Sequence, residues 1–241
     1  STAEKSDILL IVQDPYTSYY DAKVVCDFVA LAQKLGYRPV LLPFKPNGKA
    51  QHIKGFLGQF SRTAKTQAEF LNRMAKLELP LVGVDPAIVL SYRDEYKEIL
   101  GDTRGNFHVI TAHEWLTTQL NSERFKSAVE NLIKIENDQK TNRTFNTAQW
   151  YLFPHCTEAT AMPNSPKEWQ QIFAAFGQQL QVENVACCGM AGVFGHEVRN
   201  QNMSRDIYDS SWSVKLTGKD PAFCLATGYS CRSQVNRFEQ W

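Results

Sequence analysis

Short apolar runs alternate with segments of helical periodicity along the chain. Residues 7–13 are mostly apolar and close on Asp14-Pro15, as a buried strand does before a turn. In the next segment apolar residues recur at helical spacing up to a glycine, and Cys26, which shares this stretch, is predicted to be a core residue. The runs "RPVLLPF" and "PLVGVDPAI" predict two further strands, and "TAKTQAEFLNRMAKLE" predicts the helix between them.

The same alternation recurs in the second half. "WYLFPHCTE" predicts a strand ending at His155-Cys156, and "SPKEWQQIFAAFGQQL" predicts a helix. "VENVACCG" predicts a strand that runs into Cys187-Cys188, and "AFCLATGYSC" predicts one that leads to Cys231. Strands that alternate with helices in this way are typical of parallel sheets.

The predicted fold class is therefore α/β. We expect two tandem repeats, each a small, mostly parallel sheet flanked by helices. The first is placed at residues 1–104 and the second at residues 105–241. The polar stretch at residues 134–147, "KIENDQKTNRTFNT", is predicted to be an exposed loop.

Charge and hydropathy exclude some classes of function. The formal net charge is +1, so no general attraction to nucleic acid is expected, and no apolar run approaches the roughly 18 residues of a membrane span. The first residues lack the pattern of a secretory signal. The expected location is cytoplasmic, either free or peripheral to the inner face of the membrane. The chain opens almost directly on a strand, which favours a piece of a longer polypeptide.

Four of the six cysteines follow predicted strands: Cys156, Cys187, Cys188 and Cys231. Because the carboxyl ends of parallel strands meet at one edge of a sheet, these thiols are expected to converge there. Four converging thiolates suit zinc or an iron–sulfur cluster, and the adjacency of two of them favours iron and sulfur over zinc. Two buried thiols, a vicinal disulfide and a redox pair remain the alternatives.

Three further residues are candidates beside this site. His155 and His196 flank the cysteines, where support of a ligand or of a turn is favoured over direct ligation. Cys224 begins the last predicted strand, so it is expected in the core and is kept as a reserve ligand.

The cysteine spacing resembles a known family. "CCGMAGVFGHE" and "CLATGYSCRSQV" are similar to the cysteine-rich CCG domain found in heterodisulfide reductase and in the iron–sulfur components of several dehydrogenases. "VQDPYTSYYDAKVV", "LLPFKPNGKAQHIKGF", "VGVDPAIVLSYRDEY" and "YLFPHCTEATA" resemble the carboxy-terminal region of very large single-chain dehydrogenases. Those are FAD-linked enzymes of the D-lactate or D-2-hydroxyglutarate type, and the resemblance covers nearly the whole chain.

The resemblance implies an electron-transfer module. It would pass electrons from a flavin through iron–sulfur centres, a 4Fe-4S cluster among them, with flavin and ferredoxin-like domains of the parent chain as partners. Cys156, Cys187, Cys188 and Cys231 match the ligand positions of the family. FAD would belong to the parent protein, because no flavin-binding segment is present in this chain. The electron acceptor and the hydroxy acid are left open.

Departures from the family pattern limit this expectation. Gly228 stands where the first cysteine of a Cys-x-x-Cys motif is expected, so a four-cysteine cluster, zinc or an empty site becomes more plausible than a larger cluster. In the first repeat no ligand cysteine survives, and Asp14 and Asp85 occupy the strand ends. We expect these aspartates to cap turns or helices, with Lys49, His52 and Arg93 as local counter-charges. The alternative function is a non-catalytic docking module that a metal stabilises.

Overall fold

Two parallel sheets organise the structure, a computed structural model that describes residues 7–138 and 148–240. The sheets have the strand orders β2-β1-β3-β4 and β6-β5-β7. The strands are β1 (Ile8–Val12), β2 (Arg38–Leu41), β3 (Leu81–Gly83), β4 (Val109–Thr111), β5 (Gln149–Phe153), β6 (Gln179–Val182) and β7 (Cys224–Ala226). All pairings among them are parallel. The predicted α/β class is confirmed.

Helices follow the strands in both halves. The first half contains α1 (Pro15–Tyr19), α2 (Ala22–Lys34), α3 (Lys49–Ile53), α4 (Leu57–Ala75), α5 (Pro86–Arg93), α6 (Glu95–Leu100), α7 (Ala112–Gln119) and α8 (Glu123–Asp138). The second half contains α9 (Cys156–Ala161), α10 (Ser165–Ala175), α11 (Gln201–Tyr208), α12 (Val214–Leu216) and α13 (Tyr229–Glu239). Among the described helices, none combines the length and the apolar composition needed to cross a membrane.

The chain divides into two compact units, Ser1–Arg143 and Thr144–Trp241. Strand β4 belongs to the first unit because it pairs with β3, with Val82 opposite Ile110. The boundary expected after residue 104 would separate these two paired strands, so the structural division lies further along the chain. Of the predicted loop at residues 134–147, the first five residues continue α8, and residues 139–147 lie outside the described part.

In the first unit the central strand β1 is apolar and almost completely buried. Helix α2 buries Val25, Phe28 and Ala32, which are spaced at helical intervals, and the Phe28 ring packs edge-on against Trp115 of α7. Cys26 lies one position away from that face and is exposed, so the prediction of a core residue is wrong. A rotation of about 100° per residue is enough to carry a neighbouring side chain off the apolar face.

In the second unit β5 is central, pairing with β6 on one side and β7 on the other. A buried cluster packs beside this sheet and includes the thiols of Cys188 and Cys231. Its other buried members are Phe153, Val185, Met190, Tyr208, Trp212 and Leu216. Strand β6 ends at Val182, so the segment that carries Cys187 and Cys188 is a loop and not the strand predicted for it.

Candidate functional site

Cys156 is placed by the turn between β5 and α9. It is the first residue of α9, and His155 is the N-cap. The His155 Nδ1 atom accepts a hydrogen bond from the backbone N–H of Thr157 at 3.2 Å and lies 2.7 Å from the Thr157 hydroxyl. Its Nε2 atom lies 3.1 Å from the hydroxyl of Ser230 on α13. Both ring nitrogens are therefore engaged in holding the turn.

Cys187 and Cys188 lie on a loop that two buried side chains of other elements hold. Gln234 on α13 donates from Nε2 to the carbonyl of Cys188 at 3.0 Å and to the Ser204 hydroxyl at 2.7 Å. Ser204 on α11 donates in turn to the carbonyl of Gly189 at 2.7 Å. Both side chains have no solvent exposure. The cysteine loop is thus attached to two helices through its backbone.

Gly189 is required by this attachment. Its φ is +83°, and a β-carbon there would lie 2.2 Å from the backbone oxygen of Ser204. A side chain would have to displace backbone and adopt a conformation that L-residues disfavour. The close approach brings α11 directly against the Cys187-Cys188-Gly189 turn.

Cys231 enters the site from α13, which begins after β7 with Gly228 as its N-cap. Its side chain is 1 % exposed and that of Cys188 is 3 % exposed, whereas Cys156 and Cys187 are half-buried. The four thiols therefore form a group with two buried members and two members nearer the surface.

The four thiols interact with one another. Hydrogen bonds from Cys156 and then from Cys188 hold the pKa of the Cys187 thiol far below its ordinary value, and the Gly189 N–H also donates to its Sγ at 3.4 Å. The pKa of Cys156 is raised because its thiol donates to Cys187. That of Cys188 is raised by its hydrogen bonds with Cys187 and then Cys231. Of these thiols, Cys187 is therefore the one that loses its proton most readily.

The donor set fits a soft metal ion or an iron–sulfur cluster in its chemistry, because four sulfurs and a backbone N–H directed at one of them are present. Its arrangement is not that of a preformed centre. Among residues 7–138 and 148–240, no three His, Cys, Asp or Glu side chains are placed so that they could hold a metal ion. The thiols are linked in pairs by hydrogen bonds among themselves.

Gly228, where the family resemblance predicts a cysteine, is closely packed. A β-carbon at this position would lie 2.4 Å from Cδ2 of His155. The imidazole ring therefore fills the space that a side chain at position 228 would need. His155 can occupy its position because residue 228 is a glycine and has no side chain.

Two candidates remain, His196 and Cys224, and Cys224 packs against the buried cluster that contains Cys188 and Cys231. His196 is exposed and ends the 3₁₀ turn Phe194–His196. Cys224 begins β7, and burial, opposed in part by Lys219, raises the pKa of its thiol to about 11. The groups that act on Cys224 are charged residues near the amino end of the strand and not the other thiols.

Sequence reasoning did not identify four residues that hold the site: Glu158, Ser204, Thr227 and Gln234. Each is polar and makes a hydrogen bond to a backbone or side-chain group of the segments that carry the cysteines. The helical spacing around Ser204 predicts only a packing position for it. No local motif distinguishes these residues, because the groups that they hold in the cysteine-bearing segments are at least 15 residues away in sequence.

The corresponding strand ends of the first unit carry carboxylates. Asp14 caps α1 by accepting from Tyr16 and Thr17, and Asp85 caps α5 by accepting from Ala87 and Ile88. The predicted capping role is confirmed. Burial, and then the negative charge of Asp85, raise the pKa of Asp14 from an ordinary value of 3.8 to about 6.

The expected counter-charges are engaged elsewhere. Lys49 forms an ion pair with Glu95, and His52 lies 3.9 Å from the same carboxylate. Arg93 pairs with Glu114 and donates to the carbonyl of Val109. Each of the three expected counter-charges thus lies beside a carboxylate of α6 or α7. Asp14 accepts its hydrogen bonds from N–H and hydroxyl donors of α1.

Fold and site together define an α/β protein whose second unit brings four thiols together from one loop and the starts of two helices that follow parallel strands. No protein-family model matches the chain. It is 71 % identical over 239 residues to D-2-hydroxyglutarate dehydrogenase of Haemophilus influenzae, and 54 % identical over 236 residues to D-2-hydroxyglutarate dehydrogenase of Escherichia coli. A protein of the same name from Pantoea ananatis is 52 % identical over 239 residues.

These alignments cover 98 to 99 % of this chain but only 22 % of each relative. The chain thus spans about a fifth of the length of the curated relatives it matches, and the relatives contain further domains. At such identity the chain and the matching segments share a fold by descent.

Proposed function

We propose that this chain is an electron-transfer module of a D-2-hydroxyglutarate dehydrogenase-type, FAD-linked oxidoreductase. The observation that carries the proposal is the network of four thiols in the second unit, joined from three separate segments of the chain. The named relatives supply the reaction class, oxidation of a 2-hydroxy acid. The flavin and the substrate site belong to the part of the relatives that this chain does not match.

In this proposal Cys156, Cys187, Cys188 and Cys231 hold an iron–sulfur cluster. When bound, such a cluster supplies one-electron transfer at a potential that surrounding hydrogen bonds and burial tune. The Gly189 N–H, which donates to Cys187, stabilises negative charge on sulfur. The two buried thiols, Cys188 and Cys231, restrict access of water to one side of the group.

Chemical analysis of anaerobically purified protein tests the proposal. We expect iron and acid-labile sulfide in comparable amounts, together with a reversible change in visible absorption on reduction. Zinc without redox activity would instead favour the metal-stabilised docking module. A metal-free protein with a reversible disulfide would favour a thiol redox protein, which the low pKa of Cys187 would suit.

A second experiment tests whether flavin binding and substrate oxidation belong to other domains of the full-length enzyme. The isolated chain should neither bind FAD nor oxidise D-2-hydroxyglutarate, and a full-length enzyme containing it should do both. Stoichiometric FAD in the isolated chain would contradict the assignment of the flavin to other domains.

A further inference from the structure

Glu158, two residues after Cys156, carries a fully buried carboxylate. Its exposure is 0 %. Oε1 accepts hydrogen bonds from the Ser165 hydroxyl and, at 3.0 Å, from Nε1 of Trp169, both on α10. Oε2 accepts a hydrogen bond from the hydroxyl of Thr227. A carboxylate this deeply buried is tolerated only when its oxygens are well supplied with donors.

Thr227 extends this network to the turn that carries Cys156. Its Oγ1 atom accepts a hydrogen bond from the backbone N–H of His155 at 2.9 Å, while its own proton goes to Glu158. Thr227 lies between β7 and α13, four residues before Cys231. The hydroxyl therefore joins the start of α9 to the start of α13.

The two joined segments carry two of the four thiols. Cys156 directly follows His155, and Cys231 lies on the first turn of α13. Arg232 reinforces the same turn by donating from Nη1 to the carbonyls of Ala226 and Thr227. The third segment, with Cys187 and Cys188, is held by Ser204 on α11 and by Gln234 on α13.

We propose that Glu158, acting through Thr227, is a positioning residue that sets the separation of Cys156 and Cys231. Its Oε2 atom accepts from the Thr227 hydroxyl, which in turn accepts from the His155 N–H, so its effect on the site is transmitted through that hydroxyl. The inference rests on the proposed function only in one respect, which is that the four thiols form the functional site. It predicts that removing the Thr227 hydroxyl has a larger effect on the reactivity of the thiols than on the stability of the second unit.

The test compares Thr227→Val with Thr227→Ser in the full chain. Valine keeps the shape but leaves the His155 N–H and a Glu158 oxygen without this partner, whereas serine keeps the hydroxyl. The readout is the alkylation rate of each cysteine in reduced protein, with and without chelator, resolved by mass spectrometry. We expect Cys231 in Thr227→Val to react about tenfold faster or more, because unsatisfied buried groups favour local opening. Thr227→Ser should stay near the wild-type rate.

Ser165→Ala is the matched control for general destabilisation. It removes a donor from the other oxygen of Glu158 and leaves the link to His155 intact. We expect a lower melting temperature with Cys231 still protected. Equal protection in Thr227→Val and Thr227→Ser, or equal loss of protection in Ser165→Ala and Thr227→Val, would overturn the proposal.

Metal analysis of the same variants separates this inference from the proposed function. If the wild type contains no metal and Thr227→Val still exposes Cys231, the proposed cluster fails and the positioning role holds. If the wild type contains iron and sulfide and Thr227→Val keeps both, with Cys231 protected as in wild type, the positioning role fails and the cluster holds.

Discussion

The two units use the same place in the fold, the turn from a strand end to a helix start, in different ways. In the first unit the turns after β1 and β3 carry Asp14 and Asp85, and each carboxylate caps the helix that follows it. In the second unit the turn after β5 is capped by His155, and the next residue is a thiol. Because His155 caps the helix, the side chain of Cys156, the next residue, is free of that role and can interact with other thiols.

The difference shows that the polar side chains of such a turn can either cap the following helix or form a reactive site. An aspartate at the N-cap satisfies the free N–H groups of its own helix, so its polarity is used locally. The thiols of the second unit are left to satisfy one another, with Cys187 accepting from Cys156 and Cys188. Polar groups from distant elements, such as Gln234, then hold the backbone of that site.

The largest effect we expect is on metal content. Cys188→Ser or Cys231→Ser should remove most bound metal, because each replaces a buried member of the thiol group. Cys26→Ser is the control, since Cys26 is exposed on α2 of the first unit. Metal and sulfide per chain are the measurement. Equal loss in all three variants would mean that the thiols contribute to folding and not to ligation.

Glycine substitutions in the corresponding loops come next. Gly189→Ala should lower the free energy of unfolding by about 3 kcal/mol or more, because its β-carbon would meet backbone at 2.2 Å. Gly48→Ala in the first unit has a similar φ, +79°, but its β-carbon would meet the Phe60 side chain at 2.8 Å. We expect a loss of about 2 kcal/mol there, from the backbone conformation and a small shift.

Urea denaturation of both variants measures the difference. Gly189→Ala should also disturb the metal content, whereas Gly48→Ala should leave it unchanged. A larger loss for Gly48→Ala would show that the first-unit loop is the more tightly constrained of the two.

The third effect is a pH dependence confined to the first unit. The pKa of Asp14 is raised to about 6, so the folded state holds this proton more tightly than the unfolded chain does. The resulting stabilisation is fully present below the unfolded pKa, 3.8, and is lost as pH rises through about 6. From about pH 5 to about pH 7.5 we expect the wild type to lose about 1.4 kcal/mol relative to Asp14→Asn.

Chemical denaturation of both proteins across this range is the measurement, and asparagine keeps the capping oxygen. Parallel pH profiles for wild type and Asp14→Asn would contradict the raised pKa. Glu114→Gln provides a comparison of opposite sign at lower pH, because Arg93 and the Thr111 N–H outweigh burial and hold the pKa of that carboxyl below its ordinary value of 4.5. Its stabilisation is present above pH 4.5 and is lost as the pH falls below that value.

The smallest effect concerns the second aspartate cap. Asp85→Ala should lower the free energy of unfolding by about 1 kcal/mol, the usual value of a helix N-cap, and should leave metal content unchanged. A calorimetric melt and a metal assay on the same sample measure both. Lost metal with an unchanged melting temperature would show that the roles of the two units are assigned wrongly.

The sequence by itself determined the alternation of strands and helices. It also determined the helix caps at Asp14 and Asp85, because those interactions join residues two or three positions apart. The parallel α/β class followed from the same local patterns. The burial of Cys26 was predicted wrongly because a single residue step moves a helical side chain off the apolar face.

Tertiary structure alone decided how the thiols are supported. Three of the supporting contacts join residues 46 to 73 positions apart: His155 with the space at Gly228, Glu158 with Thr227, and Gln234 with the carbonyl of Cys188. The pairing of β3 with β4, which sets the division between the units, is also a contact between segments and not a property of either one. Periodicity records which face of an element is apolar. The hydrogen-bond partner of a polar group depends on which distant segment the fold brings beside it, and no local sequence pattern encodes that.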